Sequence, residues 1–227
     1  MTNNRERIIE AAIALLGEGG RDAVSTRAVS AAAGVQAPAI YRIFGDKQGL
    51  LDAVATHGFE AYLRSKTAQP PTDDPVADLR RGWDLHVEFG LTNPALYTLT
   101  YGDQRPGVEP PAARQASAIL AGLIHRIAAA GRLRVPEEQA AHLAHAGGRG
   151  VTLTLISLPE DQRDPTLSTI AREAVIARIT TDPTPESDHG PAPAAVALRA
   201  VLPDTDALTT RERDLMSEWL DRIAAAG

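Results

Sequence analysis

From Arg5 to Leu16 the apolar residues Ile8, Ile9, Ala12, Ile13, Leu15 and Leu16 recur on one broad helical stripe, with Arg5, Glu6 and Glu10 opposite. Similar helical patterns return along the chain, separated by Gly- and Pro-rich breaks. β-Branched residues rarely alternate with polar ones and aromatics make up only 4% of the chain, so the two-residue period of strands is hard to find. This pattern predicts an all-α protein. With 227 residues, 44% of them hydrophobic, the chain is long enough for one or two domains with a real core. It has no cysteine, so disulfides and thiolate chemistry are excluded and a metal site would need His and carboxylates. No apolar run approaches the roughly 20 residues needed to cross a bilayer. The opening MTNNRERIIEAAIALLGEGG lacks a signal peptide's basic start and unbroken apolar run, which predicts a cytoplasmic protein.

The first 51 residues are the most closely punctuated. The opening helix should end at the GEGG of 17–20, where glycine supplies left-handed caps. Ser25 is a good N-cap for a short helix from Thr26 to Ala33, with Gly34 as the breaker. A third short helix, Ala37 to Phe44, tolerates Pro38 in its first turn. Gly45 closes it, and Asp46 caps a fourth from Lys47 to about Ala68. Two short helices joined by a tight glycine turn form a helix-turn-helix, whose second helix enters the DNA major groove. Ile40, Ile43 and Phe44 would pack inward against Ala28, Val29, Ala32 and the first helix, leaving Tyr41 and Arg42 to face outward. The alternatives are a partly buried packing role for Tyr41 and a solvated face for Arg27.

The net charge of −6 argues against a polyanion partner until it is located. Residues 1–51 hold six basic side chains against five acidic ones, so the acidity belongs to the remainder and the N-terminal part is free to meet DNA.

The run from Ile8 to Leu51 resembles the DNA-binding domain of the TetR/AcrR family of transcriptional regulators. The resemblance is carried by I-x-x-A-x-x-L-L-x-x-x-G, by T-x-x-V-x-x-x-A-G-V and by I-Y-x-x-F-x-x-K-x-x-L-L, and covers roughly the first 60 residues. It implies a homodimeric regulator, usually a repressor, that binds a palindromic operator and lets go when a small ligand enters the C-terminal domain. Carried over by position, Thr26 and Arg27 match the second-helix start that meets phosphate. Gln36, Ala37, Pro38, Tyr41 and Arg42 match the recognition helix, and Lys47 matches a phosphate-contacting lysine. The chain departs from the family pattern at Gln36-Ala37-Pro38, where a Ser or Thr cap followed by a polar or basic residue is usual. Here Gln36 could pair with an adenine edge and Ala37 or Pro38 could touch a thymine methyl. The implied division is a DNA-binding domain over 1–51 and a helical ligand-binding and dimerisation domain over 52–227.

In the second part, helical patterns cover about 75–90, 94–101, 111–130, 136–157, 165–181 and 209–226, and the Pro-rich, charged stretch 181–193 is expected to be a mobile loop. RRGWDLHVEFGLTNPALYTLTYGD (80–103) looks like a C-terminal subtype of the same family. Trp83, His86, Phe89, Tyr97 and Tyr101 concentrate there, giving either the walls of an effector pocket or ordinary core. His57, Arg149 and Thr152 are further pocket candidates. His142 and His145 share a helix face, but no third metal ligand is evident, so neither a metal nor a cofactor is expected. The stripes Leu167, Ile170, Ala174, Val175, Ile179 and Leu215, Trp219, Ile223 could pair two copies of the chain or pack within one. No nucleophile elbow, phosphate-binding glycine loop or suitably paired carboxylates occur, which argues against an enzyme. A DNA-binding protein without a ligand is the remaining alternative.

Overall fold

Eleven α-helices and two single-turn 3-10 helices (Glu160–Gln162 and Leu202–Asp204) account for the regular structure of the described residues, 3–68, 70–102, 110–181 and 190–225, in a computed structural model. The α-helices are α1 (Asn4–Ala23), α2 (Thr26–Ala33), α3 (Ala37–Phe44), α4 (Lys47–Ala68), α5 (Pro75–Thr92), α6 (Pro94–Tyr101), α7 (Pro111–Ala129), α8 (Glu137–Ser157), α9 (Thr166–Ile179), α10 (Pro191–Val201) and α11 (Thr210–Ala225). Among the described residues the only strand-like pairing is an isolated bridge between Leu133 and Thr180. No helix of the described residues is long and apolar enough to cross a membrane. The chain divides into two compact units, one within residues 1–69, 88–116 and 155–157, the other within 70–87, 117–154 and 158–227.

In the first unit, α1 starts on a capping box. The Asn3 side chain accepts from the Arg5 amide (3.3 Å), and the Glu6 carboxylate accepts from the Asn3 amide (3.2 Å). The regular helix ends within GEGG, as its glycines predict. It carries helical geometry through Gly17 and Glu18, breaks at Gly19 and Gly20, and adds a last turn to Ala23. At Gly20 (φ 65°, ψ −161°) the break demands glycine. Ile8, Ile9, Ala12 and Leu16 of α1 are sealed against Val29 and Ala33 of α2, Ile40 of α3, and Leu50, Leu51 and Val54 of α4. Ala33 takes the inner place expected of Ala32, which is exposed, because the α2 register turns Val29 and Ala33, four apart, onto one face.

The second unit has its own core, with Val76 and Leu79 of α5, Ile124 and Ile127 of α7, Ile176 and Ile179 of α9, Val196 of α10 and Leu220 of α11. Helix α10 has no counterpart in the sequence expectation. Pro191 and Pro193 read as loop, yet both fall in the first turn, where backbone amides have no helical acceptor to lose. Its buried face of Ala192, Ala195, Val196 and Ala200 is too small-sided to stand out as a stripe. Residues 191–193 of the expected mobile loop are therefore helical, and its stretch 182–189 lies outside the described residues.

The turn leading into α5 is clamped by the Asp78 carboxylate, only 4% exposed. Asp78 accepts from the Thr72 hydroxyl (2.6 Å) and amide (3.0 Å), from Arg81 (2.5 Å) and from Arg126 (2.5 Å), while Arg126 also reaches the Thr72 carbonyl (2.6 Å). Burial pushes the carboxyl up, but these hydrogen bonds and the Arg81 charge outweigh it and hold the pKa at about 2. In α8, a β-carbon at Gly147 would fall 2.9 Å from the Trp83 ring and 3.0 Å from Val175, so glycine is what lets Trp83 seat there. Gly150, one turn on, faces open space.

Two stability predictions follow from these contacts. Gly150→Ala should stabilise the protein by up to about 1 kcal/mol and raise the urea midpoint, whereas Gly147→Ala should lower the midpoint by forcing Trp83 out of place. Asp78→Asn should cost about 2–4 kcal/mol at neutral pH. Since the Asp78 pKa is lower folded than unfolded, its stabilisation is present above about pH 4 and is lost as the pH falls to about 2. Thermal melts across that window should show the wild-type loss and a shallower slope in the variant.

Candidate functional site

The helix-turn-helix is built from three local signals. The Ser25 hydroxyl accepts from the Ala28 amide (3.1 Å) and starts α2. Gly34, in the left-handed region (φ 62°, ψ 39°), ends it, with the Val35 amide donating to the Ser30 carbonyl (3.0 Å). Gln36 then takes the N-cap position of α3 in extended geometry, exposed and with no side-chain capping hydrogen bond. Two arginines of α1 hold the motif from behind. The Arg7 guanidinium donates to the Ala33 carbonyl at the end of α2 (2.5 Å), and Arg5 lies 5.8 Å from the centre of the Phe44 ring.

Helix α3 divides into two faces. Ile40 is fully buried, and Ile43 and Phe44 pack against the same core. Pro38 and Arg42, four apart, are exposed, as is Tyr41, 51% accessible on an adjacent line with half-buried Ala37. Gly45 (φ 82°) turns the chain, and the Asp46 carboxylate accepts from the Gly49 amide (2.7 Å) to cap α4. Exposed Lys47 is the first residue of α4, beside N-terminal amides of which that of Gly49 is taken by Asp46. On α2, Thr26 is half-buried and Arg27 exposed. The arrangement offers cations, a phenol, an amide and a helix N-terminus to one partner, a combination suited to phosphates and base edges.

The expected pocket residues fall into separate settings. In the first unit, Phe89 stacks on Tyr62 (4.6 Å, 25°) and meets Phe59 edge-on (4.6 Å), and Tyr101 meets Phe59 at 5.8 Å and Tyr97 at 4.8 Å. Phe59 and Tyr62 belong to this aromatic group although no sequence signal singled them out beyond their place on α4. Burial, then the neighbouring Tyr101 and Tyr97, push the Tyr62 phenol well above its usual range. His57 sits outside the group, exposed and 3.8 Å from Glu60.

In the second unit, buried Trp83 donates its indole N–H to the Ser168 hydroxyl (3.1 Å). His86 is half-buried and flanks Gly148 together with Trp83. Arg149 is half-buried, and Thr152 is buried with its hydroxyl donating to the Gly148 carbonyl of its own helix (2.7 Å). His142 is exposed and His145 half-buried. Among the described residues no group of three His or carboxylates is placed to hold a metal ion.

Residues 8–54 match the family described as bacterial regulatory proteins, tetR family. Over 71 residues the chain is 41% identical to the tetracycline repressor protein class C of Escherichia coli, a match that spans 31% of this chain and 31% of that repressor. Solved structures that share the fold include the following three. A TetR-family transcriptional regulator from Streptomyces coelicolor is 23% identical over 78% of this chain and 99% of its own, with a TM-score of 0.58. FadR from Bacillus subtilis, in complex with stearoyl-CoA, is 17% identical over 75% and 97%, with a TM-score of 0.62. A TetR variant from Acinetobacter baumannii AYE, in complex with minocycline, is 20% identical over 75% and 93%, with a TM-score of 0.58.

The two faces of α3 predict opposite outcomes for adjacent substitutions. Ile40→Ala should destabilise the protein by about 2–5 kcal/mol, whereas Tyr41→Ala should change stability by less than about 0.5 kcal/mol. Denaturant unfolding of the two variants checks this.

Proposed function

Because the chain belongs to the TetR family, whose DNA-binding domain its residues 8–54 match, we propose that it is a homodimeric transcriptional repressor released from a palindromic operator by a small molecule. The observation that carries this reading is α3, whose Ile40 face is sealed while Gln36, Pro38, Tyr41 and Arg42 stand outward. In this reading Gln36, Ala37 and Pro38 meet base edges, Tyr41 and Arg42 meet bases or backbone, and Thr26, Arg27 and Lys47 fix the register on phosphates. Residues 1–51 form the DNA-binding domain and 52–227 the effector and dimerisation domain, and the protein works in the cytoplasm without catalysing a reaction. Exposed Leu215, Trp219 and Ile223 of α11, four residues apart, with Ile170 of α9, supply an apolar surface for a second copy. A two-fold dimer then sets half-sites about 34 Å, or a multiple of it, apart.

Relatives of this fold hold stearoyl-CoA and minocycline, which supports control by a small molecule. Its candidate contacts are Phe89, Tyr97 and Tyr101 in the first unit and Trp83, His86, Arg149 and Thr152 in the second, each set taken by itself, with exposed His57 the weakest candidate. A ligand acts by favouring one of two arrangements of the recognition helices, and its effect on DNA affinity equals its difference in affinity for the two. A regulator that binds DNA without a ligand is the second reading, favoured by the full burial of Tyr97 and by the hydroxyl of Thr152 being spent on its own helix.

Gel shifts on the DNA flanking the protein's own gene, followed by a genome-wide binding selection, should find a specific site. The Tyr41→Ala, Arg42→Ala pair should abolish that binding, and Lys47→Ala should reduce the slope of log affinity against log salt by about 1. Wild-type binding equal on all sequences, with no selected site, would overturn the regulator reading.

A further inference from the structure

The end of α3 lies closer to α4 than a side chain at position 49 would allow. Gly49 is in the first turn of α4, where its amide donates to the capping Asp46 carboxylate (2.7 Å). A β-carbon there would overlap the Phe44 carbonyl oxygen and stand 3.2 Å from its carbonyl carbon. Both are backbone atoms, so no side-chain rotation relieves the overlap. Glycine weakens a helix turn relative to alanine, and the close approach gives position 49 a reason to carry it.

The elements on either side are held by the core. Ile40 of α3 is fully buried, with Ile43 and Phe44 against the same cluster, and α4 is seated by Leu50, Leu51 and Val54. Gly45, Asp46 and Lys47, which join them, are exposed. A β-carbon at 49 would therefore be accommodated in this exposed join and in the first turn of α4, the backbone that carries Lys47. Binding constellations are held to within about 0.5 Å, and clearing an overlap with a backbone oxygen takes more than that.

We propose that Gly49 is a positioning residue for DNA recognition. By admitting the Phe44 carbonyl, it sets the separation between the base-reading face of α3 and the phosphate anchor at the start of α4. Gly49 meets no DNA itself. It acts through the backbone that places Lys47 relative to Gln36, Pro38 and Arg42, so that base edges and phosphate are engaged together. Non-specific binding needs no such agreement, because phosphates alone supply it. The inference rests on the regulator reading and on Lys47 as its phosphate contact.

Titration of the full chain against the selected DNA site and against an unrelated duplex of equal length, at one stated salt concentration, tests this. Gly49→Ala should weaken binding to the selected site at least tenfold and to the unrelated duplex less than threefold. On a Lys47→Ala background the same alanine should cost less at the selected site than in the wild type, since the contact it misplaces is already weakened. Gly150→Ala, at a helical glycine facing open space, is the control and should change neither. Circular dichroism should show wild-type helical content in every variant. A merely structural loss weakens both duplexes alike and multiplies in full with Lys47→Ala. Equal weakening on both duplexes, undiminished cost on the Lys47→Ala background, no weakening at all, or a chain unfolded by the alanine overturns the proposal. A wild type that binds both duplexes equally sinks the regulator reading and the proposal with it, whereas a specific wild type with an insensitive Gly49→Ala fails the proposal alone.

Discussion

The burial of Ile40 is the constraint on which the N-terminal half depends. An eight-residue helix is too short to hold itself in water, since its nucleation cost is spread over few hydrogen bonds. Helix α3 exists because Ile40, with Ile43 and Phe44 beside it, completes a core already walled by Ile8, Ile9 and Leu16 of α1 and Leu50 and Val54 of α4. Once that side chain is fixed, helical geometry leaves no choice for its neighbours, and Tyr41 and Arg42 must point away. The outward chemistry is thus a consequence of an inward contact.

Charged side chains divide along the same logic. Some of the arginines are used inside the protein: Arg7 on the carbonyl at the end of α2, Arg5 over Phe44, Arg21 on Gln48, and Arg81 and Arg126 on Asp78. The exposed cations Arg27, Arg42 and Lys47 lie on the helix-turn-helix and the start of α4. Counting basic residues over the first 51 positions could not separate these two groups, because a guanidinium's partner is a backbone carbonyl or ring that sequence spacing does not reveal. The second unit shows the same economy in Asp78, where burial and hydrogen bonds oppose each other and the hydrogen bonds win.

Helix ends were well marked wherever a cap does the marking. Ser25, Gly34 and Gly45 bound α2 and α3 where the sequence places those bounds, since each acts on its own neighbouring amides. Signals that depend on packing were less legible. The GEGG stretch marks where α1 breaks, but which of its glycines carries the break was not legible: Gly17 stays helical, at a cost of only about 1 kcal/mol, and Gly19 and Gly20 take the kink before one further turn to Ala23. Helix α10 was hidden by prolines that sit where a helix can spare its amides. The aromatic stretch 83–101 was legible as important and not as a site, for Phe89, Tyr97 and Tyr101 join Phe59 and Tyr62 while Trp83 keeps its indole for Ser168.

By itself, then, the sequence determined the helical class, the helix-turn-helix and the outward residues of its second helix, because periodicity, caps and glycine turns act over three or four residues and need no distant partner. Only the tertiary structure decided which arginines are spent, which glycine admits a tryptophan, and which one lets α4 close on the end of α3. Those outcomes turn on side chains brought together from distant parts of the chain, as with Arg7 and Ala33 or Asp78 and Arg126. Such pairings are set by how the helices pack, which no local pattern encodes.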